Sequence, residues 1–81
     1  MTLNEALVAE IRQQVEDRGM TYTGLARVSG VSHNSLQNYV TRERGKIPFD
    51  FAEKLAEEGF GMTLFDLLSL AQRRRGKVSG P

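Results

Sequence analysis

The chain has 81 residues and a formal net charge of +1, with one histidine and no cysteine. A chain of this length forms one small domain with a modest core, and these counts exclude a disulfide framework, a thiolate metal site and a histidine-rich metal site. It has no secretory signal and no apolar run near the roughly 18 residues of a transmembrane helix, so we expect a cytoplasmic protein.

Catalytic motifs are not found in this sequence. It has no glycine-rich phosphate loop and no activated-nucleophile motif, and its carboxylates are scattered over helical patterns. We therefore expect no enzymatic activity, no metal, no cofactor and no small-molecule ligand.

The first predicted helix covers about residues 3 to 18. Thr2-Leu3-Asn4-Glu5 is a Thr-x-x-Glu capping box. Apolar residues then recur at helical spacing, and Arg18-Gly19 ends the pattern. We expect the apolar stripe to lie in the core and the acidic polar face to point outward.

Residues 22 to 40 have the spacing of two short helices joined by a tight turn. Thr21 is the predicted N-cap of a helix that runs to about Ser29, with Leu25 and Ala26 inward. Gly30 ends it and Val31 fills the corner. Ser32 then caps a third helix, about His33 to Thr41, whose Leu36 and Tyr39 point inward. This pattern is typical of a helix-turn-helix.

The outer face of the third predicted helix carries four hydrogen-bonding side chains and no negative charge: His33, Asn34, Gln37 and Asn38. Asn and Gln can pair with adenine through N6 and N7, and His can donate to guanine N7 or to a phosphate. The alternative is an ordinary solvated helix surface.

Three cations follow this helix in a polar loop that contains Gly45, namely Arg42, Arg44 and Lys46. They can anchor phosphates, or they can be a solvated cluster. Residues 21–48 have a net charge of +3, whereas residues 1–20 have −2 and residues 49–72 have −4. Since the cations concentrate on the predicted helix-turn-helix, a nearly neutral chain can still bind a polyanion with one face.

Two more helices are predicted, Phe49 to Glu58 ended by Gly59, and about Leu64 to Arg73 opened by Thr63-Leu64-Phe65-Asp66. The fifth helix is apolar over nearly its whole circumference, and such a surplus usually marks an interaction surface. Alternatively, Phe65 and Leu68 fill the core, and Leu67 and Leu70 are merely exposed or meet the tail.

The last nine residues carry a net charge of +4. We divide the chain into a domain of residues 1–72 and a basic flexible tail of residues 73–81. Its cations, Arg73, Arg74, Arg75 and Lys77, can contact DNA as a basic arm, precede a second domain, or offset the acidic fourth helix.

The chain resembles the lambdoid phage repressor and Cro-like helix-turn-helix proteins, the Xre family. The resemblance covers about Met20 to Leu68 and rests on Thr21, Leu25-Ala26, Gly30-Val31-Ser32, Leu36, Tyr39 and the loop from Arg42 to Pro48. It implies an all-α, five-helix domain. Tyr22 departs from the glutamine usual at its position, and Gly24 and Ser29 depart from the helix former and the apolar or Ala residue usual at theirs, which implies a weaker second helix.

The resemblance also implies a function, sequence-specific binding of double-stranded DNA to repress transcription by promoter occlusion, as in a phage or prophage. His33, Asn34 and Asn38 match base-contacting positions, with Gln37 a fourth. Phosphate contacts would come from Thr21, Tyr22, Ser32, Ser35, Arg42, Arg44 and Lys46. A homodimer through Leu64, Leu67, Leu70 and Ala71, expected at least on DNA, would place two recognition helices about 34 Å apart.

Two other classes of protein fit the same sequence. One is a protein-interaction module, such as an antitoxin or an assembly adaptor, that keeps this fold without using DNA. The other is a DNA-binding accessory, such as a recombination directionality factor or a restriction controller. Salt-sensitive retention on heparin or mixed DNA separates the first class from a DNA-binding protein.

Overall fold

Five helical elements, without a strand, make up the computed structural model over residues 1–79, the residues that it describes; side chains are described through residue 76. The all-α prediction is confirmed for this part of the chain. The elements are α1 (Leu3–Asp17), α2 (Tyr22–Ser29), α3 (His33–Leu36, continued by a π-helical segment Gln37–Thr41), α4 (Phe49–Lys54, continued by a π-helical segment Leu55–Phe60) and α5 (Leu64–Ser79).

The predicted capping box starts α1. The Thr2 hydroxyl accepts a hydrogen bond from the Glu5 amide at 3.1 Å, and the Thr2 amide donates to the Glu5 carboxylate at 2.7 Å. Hydrogen bonding by Thr2, first by its backbone and second by its side chain, lowers the pKa of the Glu5 carboxyl group below its ordinary value. Because the folded-state pKa is depressed, this contribution to stability is present above the ordinary pKa and is lost as pH falls through the lowered one.

Hydroxyl caps also start α2, α3 and α5. Thr21 accepts from the Gly24 amide at 3.0 Å, Ser32 from the Ser35 amide at 3.3 Å, and Thr63 from the Asp66 amide at 3.0 Å. Each bond satisfies one of the backbone donors that the first turn of a helix leaves free. The starts of these helices lie where the sequence predicted them.

The apolar side chains of the helices meet in one core. α5 packs mainly on α1, and α2 packs on the π-helical end of α4. The fully buried larger side chains are Val8, Ile11, Leu25, Leu36, Val40, Leu55 and Leu67. Burial of such side chains is the main stabilising contribution to a domain of this size.

Two residues predicted for a dimer interface lie instead in this core. Leu67 and Ala71 both have a relative exposure of 0%. Leu64 and Leu70 are half-buried, and Phe65, which the alternative placed in the core, is 77% exposed. The correction has a simple cause: α5 is apolar all round, so its orientation on α1, not its own pattern, selects the buried residues.

The end of α4 also differs from the prediction. The chain remains helical through Phe60, and Gly61, at φ 68°, adopts the left-handed conformation that caps the helix. Gly59 lies within the helix and serves close packing instead. A Cβ at this position would lie 2.6 Å from Leu25 Cδ1 and 2.6 Å from Ser29 Oγ.

Helix α5 runs to Ser79, past the predicted end at Arg73. Arg74 lies on α1, where its Nε donates to the buried Glu10 carboxylate at 2.8 Å. The predicted start of a flexible tail at residue 73 therefore lies within a continuous helix. Of the predicted tail, Gly80 and Pro81 lie outside the described residues, as does the side chain of Lys77.

Within residues 1–79, the helices include none whose length and apolar content would let it cross a membrane.

Candidate nucleic-acid interface

The inner side of α3 is held by the core, and this fixes which side faces outward. Leu36 and Val40 are fully buried, and the half-buried Tyr39 packs its ring edge-on against Phe51, with centroids 5.1 Å apart. Leu36 and Tyr39 lie inward as predicted, and Val40 joins them. The polar residues between these positions therefore occupy the outer side.

Two of the four predicted readers are hydrogen-bonded to each other. Gln37 Nε2 lies 3.2 Å from His33 Nε2, and the Thr23 hydroxyl of α2 lies 3.4 Å from the same ring nitrogen. The exposed His33 and the half-buried Gln37 thus form one polar cluster at the junction of α2 and α3.

The other two predicted readers differ in their surroundings. Asn38 is half-buried, and its Oδ1 accepts a hydrogen bond from Arg42 Nη1 at 3.0 Å. Its amide nitrogen therefore points away from that bond and remains a donor. Asn34 is exposed and has no hydrogen-bond partner among the described side chains. Of the four, Asn34 is the side chain whose whole amide is available to a ligand.

The basic loop has a defined backbone. The Arg42 amide donates to the Gln37 carbonyl at 2.9 Å, and the Arg44 amide donates to the Asn38 carbonyl at 2.8 Å. Glu43 adopts φ 51° and Gly45 adopts φ 74°. At its far end the Ile47 amide donates to Asn4 Oδ1 in α1 at 2.8 Å. The loop is thus tied down at both ends.

All three predicted cations of the loop, Arg42, Arg44 and Lys46, are exposed. Arg42 shares its guanidinium with Asn38 but keeps further N–H donors free, because a guanidinium carries five. Arg27, at the last turn of α2, is a fourth exposed cation. Three accessible positive charges thus follow α3 directly in the chain, and a fourth lies on α2.

Arg12 of α1 also contributes to this region, although its place in the sequence did not predict this. Its Nε and Nη2 donate to the Val40 carbonyl at 3.0 and 2.7 Å, and Nη2 also donates to the Thr41 carbonyl at 3.1 Å. Nη2 lies 3.6 Å from Glu43 Oε2. Arg12 therefore caps the carbonyl end of α3, where a helix favours a cation. A residue 28 positions away gives no local signal for this contact.

The hydroxyl groups that were predicted to contact phosphates differ in their exposure. Thr21 and Ser32 are exposed and accept capping bonds, so their hydroxyl hydrogens remain available to an anion. Tyr22 is half-buried against the core. Ser35 is half-buried and lines a shallow cleft beside Asp50 and Lys54 of α4, so a negative and a positive side chain both lie near it.

None of the contacts described places the cations of α5 near the outer side of α3 or near the basic loop. Arg74 is paired with Glu10, and Arg75 donates to Gln72 at 3.0 Å. Arg73 is exposed and lines a shallow depression with Phe65 and Leu68. Arg74 is thus held on α1 by a buried carboxylate, and the possible contact of the α5 cations with DNA stays a prediction.

A second surface of the molecule is apolar, and we call it the phenylalanine surface. Phe49 and Phe65 are 74% and 77% exposed. A cavity of about 380 Å³ opens beside Phe49 between the first turns of α1, α4 and α5. The surface comprises Leu3, Phe49, Leu64, Phe65 and Leu68; Leu68 borders both this cavity and the depression next to Phe65.

The comparisons with known proteins give no relative. No family model, no curated protein and no solved structure matches the chain. Among the residues that the structure describes, no three His, Cys, Asp or Glu side chains are grouped as a metal site would need.

Proposed function

We propose that the protein binds double-stranded DNA sequence-specifically, as a transcription regulator with α2 and α3 forming a helix-turn-helix. The observation that carries this proposal is the outer side of α3, which is polar, free of acidic residues and followed by exposed cations. A polar helix surface beside accessible cations suits a major groove lined by phosphates. The resemblance to the lambdoid repressor family points the same way.

In this proposal the four side chains on α3 read bases. The free amide of Asn34 can pair bidentately with adenine, and Asn38, whose oxygen already binds Arg42, offers its amide hydrogens to an acceptor. His33 and Gln37 read as a pair because they contact each other. The phosphates would be held by Arg42, Arg44 and Lys46, together with the hydroxyls of Thr21, Tyr22 and Ser32.

The mechanism proposed for regulation is promoter occlusion in the cytoplasm. A small domain that covers a promoter needs neither a sensor pocket nor an effector domain, since the bound protein itself excludes the polymerase. On the resemblance, the regulator is a Cro-like or immunity repressor of a phage or prophage.

Truncating a base reader and truncating a phosphate anchor are expected to have different effects. Asn34→Ala should weaken binding to the selected site by about 1 to 3 kcal/mol and leave random DNA nearly unaffected, because only base contacts distinguish the two. Lys46→Ala should weaken both alike and reduce the slope of log affinity against log salt by about one. The measurement is fluorescence anisotropy on a site enriched from random duplexes and on a scrambled duplex, at several salt concentrations.

Gln13→Ala is the matched control, because Gln13 is a polar residue on α1 whose amide donates to Asp17 of the same helix. It should change neither affinity nor salt slope. Equal losses on both duplexes for Asn34→Ala would remove Asn34 from the base readers. If the unmodified protein is not retained on heparin or mixed DNA even at low salt, the proposal is wrong, and a protein-interaction module becomes the better description.

We propose that the predicted homodimer forms through the phenylalanine surface. In an isologous two-fold contact each copy supplies the same patch, so the exposed rings of one copy can enter the cavity of the other. The cavity is also lined by Lys46 of the basic loop, so the proposed dimer contact adjoins the proposed phosphate contact. Leu67 and Ala71 take no part in this contact.

Phe65→Ser is expected to shift the protein toward monomer with little change in its free energy of unfolding, because the ring is mostly exposed in the single chain. Sedimentation velocity with and without a selected two-half-site duplex measures this shift. Val28→Ser is the control, because Val28 is an exposed apolar residue on α2 outside the phenylalanine surface. An unchanged dimer in Phe65→Ser would place the contact elsewhere.

A further inference from the structure

The peptide group between Lys46 and Ile47 is held by a side chain from a distant part of the chain. The Ile47 amide donates at 2.8 Å to Oδ1 of Asn4, which lies in the first turn of α1. A backbone N–H only donates, so the oxygen of the Asn4 amide, and not its nitrogen, must face it. Asn4 and Ile47 are half-buried, and both line the cavity beside Phe49, as Lys46 does. The bond therefore joins α1 to the part of the basic loop that carries Lys46.

Gly45 divides the basic loop into two parts that are held by different helices. Before Gly45, the Arg44 amide donates to the Asn38 carbonyl of α3 at 2.8 Å. Gly45 adopts φ 74°, and within the described residues neither its amide nor that of Lys46 makes a hydrogen bond. After Gly45, the bond to Asn4 is the one that holds the backbone. Arg44 is thus fixed to α3, whereas Lys46 is fixed to α1.

The bond to Asn4 orients the backbone of Lys46. A peptide group is planar, so holding the Ile47 N–H also holds the Lys46 carbonyl. The side chain of Ile47 packs against the core, but that contact leaves the peptide plane free to turn. Ordering a residue has an entropic cost, and a residue that is already ordered in the free protein avoids this cost on binding. The bond therefore favours binding of an anion by Lys46.

We propose that Asn4 is a positioning residue for DNA binding, which holds the peptide group after Lys46 so that the Lys46 ammonium is ordered for a phosphate before DNA arrives. This inference rests on the proposed function and deepens it, because it gives a residue of α1 a part in the interface. Asn4 acts through Lys46 alone. Arg44 does not depend on Asn4, because its own amide is bonded to α3.

A double-mutant cycle tests this arrangement. Asn4→Ala should weaken binding to the selected duplex and to random DNA by about five-fold each, because binding must then order the backbone of Lys46, whose phosphate contact is independent of sequence. In a Lys46→Ala background the same substitution should cost less than about two-fold, since no ammonium is left to position. In an Arg44→Ala background it should keep its full effect. Fluorescence anisotropy at one salt concentration measures each affinity.

Two controls accompany the cycle. Gln13→Ala removes another half-buried amide of α1, whose partner is Asp17 of the same helix, and should leave the affinity unchanged. Asn4→Asp keeps an oxygen acceptor, so hydrogen exchange of the Ile47 amide in the free protein should stay slow. In Asn4→Ala this exchange should become about ten-fold faster. Circular dichroism checks that each variant is folded.

An equal loss from Asn4→Ala with and without Lys46 overturns the inference, because a direct contact of Asn4 with phosphate, or a general loss of stability, would act in both backgrounds. Full affinity of Asn4→Ala, or unchanged exchange of its Ile47 amide, overturns it as well. These results leave the proposed function intact as long as the unmodified protein binds DNA. If the unmodified protein binds neither duplex at low salt, the proposed function falls and the inference falls with it.

Discussion

Replacing Gly59 by alanine is expected to destabilise the protein by about 1 to 3 kcal/mol, the usual cost of overpacking a core. The added Cβ would lie 2.6 Å from both Leu25 Cδ1 and Ser29 Oγ, closer than atoms of this kind approach. Leu25 is fully buried, so its side chain cannot move aside without disturbing its neighbours. Thermal and urea unfolding of the two proteins measures the difference.

Ser29 provides an internal control for this result. Its hydroxyl is buried and has no hydrogen-bond partner in the described structure, so Ser29→Ala alone should stabilise by about 1 kcal/mol. It also removes one of the two atoms in conflict with the new Cβ. The double variant should therefore lose less stability than the two single effects predict together. Strict additivity would contradict the close approach of α2 and α4.

Replacing Arg12 by methionine is expected to destabilise the protein by about 2 kcal/mol. Methionine keeps most of the apolar stem, so the loss isolates the three hydrogen bonds to the Val40 and Thr41 carbonyls. Solvent screening reduces the expected loss, because the Arg12 side chain is 43% exposed. Urea unfolding measures the loss, and hydrogen exchange should show faster opening of residues 37–41 than of α1.

Two further variants separate the sources of this effect. Arg12→Lys keeps the charge but presents a single point donor in place of the planar fork, so it should recover only part of the loss. Glu43→Gln removes the exposed ion pair and should cost less than about 1 kcal/mol. A loss in Glu43→Gln as large as that in Arg12→Met would assign the stabilisation to the ion pair instead of the carbonyls.

The candidate site was predicted from sequence to the extent that its signals are local. The outward positions of His33 and Asn34 follow from helical spacing once Leu36 is inward, and the structure places them so. The bonds from Arg42 to Asn38 and between Gln37 and His33 join residues one turn apart, but side-chain orientation decides them. Spacing shows which side chains are neighbours, not which atoms meet.

The contacts that connect distant parts of the chain were not predicted. Arg12 and the end of α3 are separated by 28 residues, Asn4 and Ile47 by 43, and Glu10 and Arg74 by 64. Each depends on how whole helices are oriented. The packing of α5 on α1 also explains why Arg74, which lies in a basic segment typical of a solvated tail, satisfies a buried carboxylate.

By itself the sequence determined the all-helical class, the hydroxyl-capped starts of α1, α2, α3 and α5, and the polar outer side of α3, because capping and periodicity act within a few residues. The tertiary structure alone decided that Leu67 and Ala71 are buried while Phe49 and Phe65 are exposed, that Gly59 lies inside a helix, and that Arg12 caps α3. The physical reason is the same in each case. A helix that is apolar on nearly every side has no preferred buried face, and a glycine without a strained dihedral can either end a helix or lie inside it. The neighbouring helices therefore decide both.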